Sequence, residues 1–297
     1  MQEQINKMVS AIKPTEDNNA FIKSVLDWLT PDNVNDLISS IFPSLTDHSG
    51  FLSRKEKAGL HIGQNYANTK YELNGCIDDA EDMQQIFNNK FDVNGKLLVD
   101  KQTRITKDIL KRQLEALAVS THKDVKTVVL TYSGHGSQLR ADADDFEEDG
   151  LDECWIVFLN GKIVGFKDDD LRKYFLNKIA DDTNVLIISD SCHSGSMADL
   201  TYTYNPKTKI VKDVKTGAKV KGNILQISGS KDEQVSLELK VKGKSTGALT
   251  YAICKTLRQG ITAKQLVDEC YKIIADLRLE QIPHLSTNKM DLIDVKL

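Results

Sequence analysis

Apolar residues recur along the chain with two periods, and the switches between them mark the elements. In Ala20-Phe21-Ile22-Lys23-Ser24-Val25-Leu26-Asp27-Trp28-Leu29 they fall at helical intervals, and Thr30-Pro31-Asp32 restarts a second helix that ends near Phe42-Pro43. Thr46 to Lys57 is polar and predicts a connector. A strand is predicted at Ala58 to Gly63, then a helix from Cys76 to Lys90 with Ile77, Ala80, Met83, Ile86 and Phe87 on one face. Lys96 to Asp100 reads as a short strand, and Thr106 to Val119 as a helix with Thr106 as its N-cap. There follow a strand at about 126–133, an acidic loop at 142–153, a short strand from Cys154 to Leu159 and a helix from Asp168 to Ala180. A strand at 185–190 precedes a lysine-rich stretch, Asn205 to Asn223, with weak β signals. Ile224 to Ser228 predicts another strand, followed by helices near 246–258 and 262–279 and a closing strand near 290–295. Strands alternating with helices predict an α/β protein with a mostly parallel sheet covered on both faces. Residues 1–50 form a separate helical segment in this reading, and 55–297 the main domain.

Two of these strands end in an unusual way. Val128-Val129-Leu130-Thr131-Tyr132-Ser133-Gly134-His135-Gly136 and Val185-Leu186-Ile187-Ile188-Ser189-Asp190-Ser191-Cys192-His193-Ser194-Gly195 are apolar runs that stop abruptly in small, turn-forming residues. A buried parallel strand followed by a glycine turn places the next side chains at the carboxyl edge of a sheet, where α/β folds build their sites. One run delivers an imidazole and the other a thiol, the parts of a cysteine nucleophile with its general base. A lone buried cysteine usually just packs a core. Cys192 differs, because it follows an apolar run and its neighbours are polar or flexible. His193 is adjacent to it, and adjacent residues on an extended segment point to opposite sides, so the base is assigned to His135. A tyrosine-phosphatase site would need Arg six positions after the cysteine, where the chain has Ala198. A zinc site from His135, Cys192 and His193 lacks a fourth ligand at normal spacing.

Composition narrows the class. Net charge is −4, with both signs mixed throughout, so there is no signature for nucleic acid or a membrane surface. No run of about 18 apolar residues is present. Met1 to Lys13 carries no secretory h-region, and the five cysteines are widely spaced with no CxxC pair. These features predict a reduced, cytoplasmic protein.

Cys192 lies about 57 residues after His135, close to the His-to-Cys separation of caspases, roughly 50 residues. Together with Tyr132-Ser133-Gly134-His135-Gly136 and Asp190-Ser191-Cys192-His193-Ser194-Gly195, several further blocks resemble the metacaspase-type peptidases of caspase-like fold. These are Leu60 to Tyr66 with Leu73 to Ala80, Asp149 to Glu153, Ser228 to Gln234, and Gly247 to Ala252. The resemblance covers roughly residues 58 to 295 and implies a three-layer sandwich, a mostly parallel central sheet flanked by helices. It implies a cysteine endopeptidase in which Cys192 attacks a peptide carbonyl, His135 shuttles the proton, and backbone N–H groups of Gly136 and Cys192 hold the oxyanion. Metacaspases are typically monomers, and no organic cofactor is implied.

Specificity turns on carboxylates. Asp190 precedes Cys192 by two positions and leaves the strand on the same side. In metacaspases the matching residue and the one matching Asp79 line an acidic S1 pocket; with Ser133 beside them, they imply cleavage after Arg or Lys rather than Asp. The acidic stretches Asp142 to Asp152 and Lys167-Asp168-Asp169-Asp170 concentrate the hard oxygen ligands that Ca²⁺ selects, although acidic loops are also ordinary solvated surface. The resemblance implies Asp152, Asp168, Asp169 and Asp199 as the calcium ligands. Lys207, Lys209, Lys212, Lys215, Lys219 and Lys221 offer basic sites for self-cleavage, or merely blunt an edge strand. Residues 1–50 are expected to be a prosegment or to dock a protein partner. The alternatives are an interaction module with the peptidase as its output, and a caspase-fold relative with another P1 preference in which Asp79 only caps a helix.

Overall fold

A computed structural model of the chain describes residues 50–297 apart from 54–55, 102, 141–150, 193–196, 215–219, 230–237 and 242. The helices expected between residues 20 and 43, His193, Lys215 and Lys219 lie outside the described residues. The elements are β1 (Lys57–Gly63), α1 (Cys76–Phe91), β2 (Asn94–Val99), α2 (Lys107–Thr121), β3 (Thr127–Ser133), β4 (Gly136–Arg140), β5 (Leu151–Leu159), β6 (Lys162–Lys167), α3 (Asp168–Tyr174), β7 (Asn184–Asp190), β8 (Tyr202–Asn205), β9 (Ile210–Asp213), β10 (Asn223–Ser228), β11 (Glu238–Val241), β12 (Lys244–Gly247), α4 (Ala248–Thr256), α5 (Ala263–Asp276) and β13 (His284–Thr287).

Eight strands form the central sheet in the order β2-β1-β3-β7-β10-β13-β8-β9. The pairs from β2 to β10 are parallel, and those from β10 to β9 antiparallel. Every residue of β3 and β7 is buried, as a strand covered on both faces requires. Alternation then sorts their side chains. Val129, Leu186 and Ile188 pack with Met83 and Phe87 of α1, Leu249 and Ile253 of α4, and Leu266 and Ile274 of α5. Val128, Leu130, Tyr132, Val185 and Ile187 pack on the opposite face with Leu110 and Leu114 of α2, Leu171 of α3, and Trp155 and Phe166 of the small β4-β5-β6 sheet. The result is the expected α/β sandwich with a mostly parallel central sheet. Among the described residues no helix is long and apolar enough to cross a membrane.

Four expectations are corrected. The acidic loop does not reach residue 153: Leu151, Asp152 and Glu153 begin β5, which pairs with the unforeseen strands β4 and β6. The helix expected over Asp168 to Ala180 stops at Tyr174, because Phe175 leaves helical backbone (φ −132°, ψ −71°) before a single 3-10 turn, Leu176–Lys178. Phe175, Leu176 and Ile179 still reach the core, which is why their spacing read as helical. The closing strand is His284–Thr287, while Met290–Asp294 is a 3-10 turn. Only Leu285 is apolar in that strand, and it is buried by pairing with β10 and β8 on either side rather than by its own pattern. Finally, the polar connector contains two core residues, Phe51 and Leu52. The amide of Phe51 donates to Lys296 O (2.6 Å), and its carbonyl accepts from Asn184 Nδ2 (2.7 Å).

Candidate active site

The register of β3 against β7 brings the histidine and cysteine segments together. Their last paired residues are Ser133 and Asp190, so His135 and Cys192 each lie two positions beyond the same rung. The two segments meet main chain to main chain, since a Cβ at Gly136 would overlap the carbonyl oxygen of Cys192. Glycine follows the histidine for that reason. Both side chains are partly exposed above fully buried strands.

His135 is held from several directions. Its Nε2 lies 2.8 Å from the carbonyl oxygen of Tyr71. A carbonyl can only accept, so Nε2 carries the proton of the neutral ring and Nδ1 keeps the basic lone pair. The ring of Tyr66 tilts against the imidazole with centroids 4.9 Å apart, and Tyr71 approaches edge-on at 6.3 Å.

Strand alternation carries Ser133 and Asp190 to the face covered by α1 and α4, and there the structure places Asp79, in the first turn of α1. Asp79 Oδ2 accepts from Ser133 Oγ (2.8 Å), Oδ1 accepts from Thr246 Oγ1 (2.7 Å), and the amide of Gly247 donates to both oxygens (3.2 and 3.1 Å). Asp190 Oδ2 accepts from the amide of Thr250 (2.8 Å) at the start of α4, where the helix dipole favours an anion. A Cβ at Gly247 would overlap the Asp190 carboxylate, so this glycine sits between the two acids. Asp79 is 1% exposed and Asp190 5%. The donors on Asp79 are neutral, and its carboxyl is pushed up to about 7, first by burial and then by the negative charge of Asp190. The three residues read as the pocket are therefore gathered. Sequence reasoning missed Thr246, Gly247 and Thr250 as partners of the two carboxylates; Gly247 and Thr250 fall in the Gly247 to Ala252 block, and Thr246 carried no signal of its own.

The second acidic group also assembles. Asp152 on β5 and Asp168 and Asp169 at the start of α3 each offer an oxygen within 4.8 Å of the others. Oδ2 of Asp168 is buried and accepts no hydrogen bond among the described residues, and this carboxyl is pushed up to about 9 by burial, then by Asp199, Asp152 and Glu153. Lys167 Nζ reaches Asp152 (2.6 Å) and Arg172 reaches Asp199 (3.0 Å). A buried, unsatisfied carboxylate oxygen among like charges is a donor set that fits a hard cation. Residues 142–150 lie outside the described residues.

A parallel sheet that offers an imidazole and a thiol from neighbouring strand ends has the layout of a cysteine peptidase of caspase-like fold. The caspase domain family, peptidase C14, matches residues 57–292, and the chain belongs to it. It is 30% identical over 224 residues to metacaspase-1 of Plasmodium falciparum, with 71% of this chain and 36% of that protein covered. It is 29% identical to metacaspase-3 of Trypanosoma brucei brucei, with 77% and 70% covered. The chain thus spans about a third of the length of the Plasmodium relative. Among solved structures, a Geobacter sulfurreducens protein matches with a TM-score of 0.56 and 26% identity over 80% of this chain and 97% of that one. Caspase-1 of Spodoptera frugiperda, 10% identical, matches in fold with a TM-score of 0.50 over 79% and 90% of the two chains.

Proposed function

We propose that the protein is an endopeptidase that cleaves after Arg or Lys through Cys192 and His135. The observation that carries this reading is the pair of buried carboxylates beside the imidazole and thiol segments: Asp190 ends β7, and Asp79 in the first turn of α1 accepts from Ser133 at the end of β3. Nδ1 of His135 takes the thiol proton as Cys192 Sγ attacks the scissile carbonyl, with the amides of Gly136 and Cys192 facing the oxyanion. The same nitrogen gives its proton to the departing amine, leaving a thioester. A water molecule, deprotonated by His135, then attacks the thioester, and the proton returns to the cysteine as the acid leaves. A P1 guanidinium or ammonium is the cationic group that two neighbouring carboxylates, Asp79 and Asp190, favour, with Ser133 fixing the Asp79 carboxylate. Burial of Asp79 counts against the alternative in which it only caps a helix.

The acidic cluster supports a calcium site formed by Asp152, Asp168 and Asp169, whereas Asp199, the fourth expected ligand, is paired with Arg172 and acts on Asp168 as a neighbouring charge. A bound Ca²⁺ supplies charge neutralisation there, and Asp199 ties that event to the segment leaving Cys192. Millimolar Ca²⁺ is expected to raise the thermal midpoint of the Cys192→Ala protein, and Asp168→Asn to abolish the shift. An equal shift in both proteins would place the ion elsewhere.

The sheet edge supports a monomer: β9 has only four residues, ends in Lys212-Asp213, and offers a charged, short edge to a second copy. The five reduced cysteines agree with a cytoplasmic location. Exposed Lys207 and Lys209, in the turn between β8 and β9, are accessible for self-cleavage. Residues 1–50 remain assigned to a prosegment or a partner-docking role.

The test is hydrolysis of fluorogenic peptides with P1 Arg, Lys or Asp, in Ca²⁺ and in chelator, against Cys192→Ala. Cleavage after Arg or Lys that the blank lacks is expected, and mass spectrometry of the same incubations reads self-cleavage. Cleavage after Asp alone would overturn the pocket. Repeating the assay on protein lacking residues 1–50 separates a prosegment, which raises the rate on removal, from a docking segment, which leaves it unchanged.

A further inference from the structure

We propose that a buried polar relay, Tyr66–Tyr132–Trp155–Ser189–Ser191, positions the imidazole of His135 against the thiol of Cys192, with Asp100 holding Tyr66 in place. The proposal rests on the reading of these two residues as the reacting pair. All five relay side chains are buried: Tyr66, Trp155, Ser189 and Ser191 are 0% exposed and Tyr132 is 1%.

One end of the relay grips the backbone of His135. Its amide donates to the hydroxyl of Tyr66 (3.0 Å), and its carbonyl accepts from the hydroxyl of Tyr132 (2.9 Å) and from the amide of Ile156 (3.0 Å). The two hydroxyls are 3.0 Å apart. Each has one hydrogen, and the carbonyl of Ile156 is a further acceptor for both (2.8 Å from the Tyr66 hydroxyl, 3.2 Å from that of Tyr132), so the two phenols form one network that ties the His135 backbone to β5. Burial raises the pKa of both phenols above its ordinary value, so they stay protonated and able to donate.

The other end reaches the cysteine segment. Trp155 stacks on Tyr132 with centroids 4.5 Å apart and planes 9° from parallel. Its indole N–H, which can only donate, bonds to Ser189 Oγ (2.9 Å), and that oxygen lies 3.1 Å from Ser191 Oγ, next to Cys192. Tyr132 and Ser189 are partners across the β3–β7 pair, and Trp155 is the partner of Gly136 in the β4–β5 pair. One indole therefore bridges both strands and the residue after the histidine.

Tyr66 itself has a conformation that needs support. Its φ is +52°, the left-handed region that a side-chain-bearing residue avoids. Asp100, at the end of β2, accepts from the amides of Asn65 and Tyr66 (both 2.8 Å) and fixes that turn. Strained backbone, held by a carboxylate and ending on the histidine, is a feature that packing alone does not require.

These are positioning residues, and Tyr66→Phe is the direct test because it removes only the hydroxyl. Two readouts are taken: kcat and KM for a P1-Arg peptide, and the pH profile of Cys192 alkylation by iodoacetamide, which follows the thiolate without peptide turnover. Tyr66→Phe is expected to lower kcat at least tenfold with KM within twofold, and to shift the alkylation profile to higher pH. Trp155→Phe keeps the stacking and loses the N–H; it is expected to act in the same direction, and it serves if Tyr66→Phe does not fold. Folded variants with wild-type kcat and an unmoved alkylation profile would overturn the relay. A wild-type protein that cleaves no peptide would sink the proposed function instead, and the alkylation profiles would still decide the relay.

Discussion

Replacing His135 by alanine is expected to lower kcat by about 10²–10⁴-fold, the usual contribution of a positioned general base, while KM changes little. The expectation follows from the hydrogen-bond sense at the ring. The Tyr71 carbonyl fixes the proton on Nε2, which leaves the Nδ1 lone pair as the acceptor that the proposed mechanism assigns to the thiol proton. Among the described residues the hydrogen bonds on Asp79 come from Ser133, Thr246 and Gly247, which the substitution leaves in place, so KM is expected to hold. Steady-state kinetics on a P1-Arg peptide separate the two effects. A variant that loses KM but keeps kcat would make His135 a binding residue and would return the search for a base to the rest of the cleft. Cys192→Ala, measured alongside, sets the background.

The second large effect concerns the pocket. Asp79→Asn and Asp190→Asn should each lower kcat/KM for P1-Arg about 30- to several-thousand-fold, the range for truncating one partner of a buried, hydrogen-bonded charge pair. A P1 residue without positive charge should gain relative to Arg. Asp79 adds a dependence on pH with a definite sign. Its carboxyl moves from an ordinary 3.8 up to about 7 in the folded protein, so between those limits the folded state holds a proton that the unfolded chain has released. Stability is therefore fully present below about 4 and is lost as pH rises through about 7. Affinity for a cationic P1 side chain runs the other way, rising as Asp79 ionises. Thermal midpoints from pH 4 to 9 should fall less steeply for Asp79→Asn than for the wild type, and parallel curves would refute this account of the pocket.

Much of this arrangement was legible in the chain because its strongest signals are physical. Val128 to Leu130 and Val185 to Ile188 are apolar without alternation, as strands buried on both faces are, and the small residues that follow announce the sheet edge. The partition of Ser133 and Asp190 onto the α1 face also follows from period two alone. Other features depend on partners distant in sequence. Thr246, Gly247 and Thr250 matter only because α4 begins against β7 and α1. Tyr66 looks like an ordinary loop aromatic until its hydroxyl is found under His135. His284-Leu285-Ser286-Thr287 carries a single apolar residue, so its burial between two strands has no local signature. The stretch at 290–295 misled because Leu292 and Ile293 cover the core from a turn.

The shared rung at Ser133 and Asp190 has a consequence for how such a protein can change. A slip of β7 by one residue would move Cys192 by about 3.3 Å and send Asp190 to the opposite face, so reactivity and recognition would fail together. The nucleophile strand is thus closed to gradual alteration of preference. Apart from Ser133 at the end of β3, the other groups around the two carboxylates arrive on α1, β12 and α4, elements that contain neither His135 nor Cys192. Divergence toward new substrates, natural or in the laboratory, has its open route through Asp79, Thr246, Gly247 and Thr250, with the strand pair left untouched.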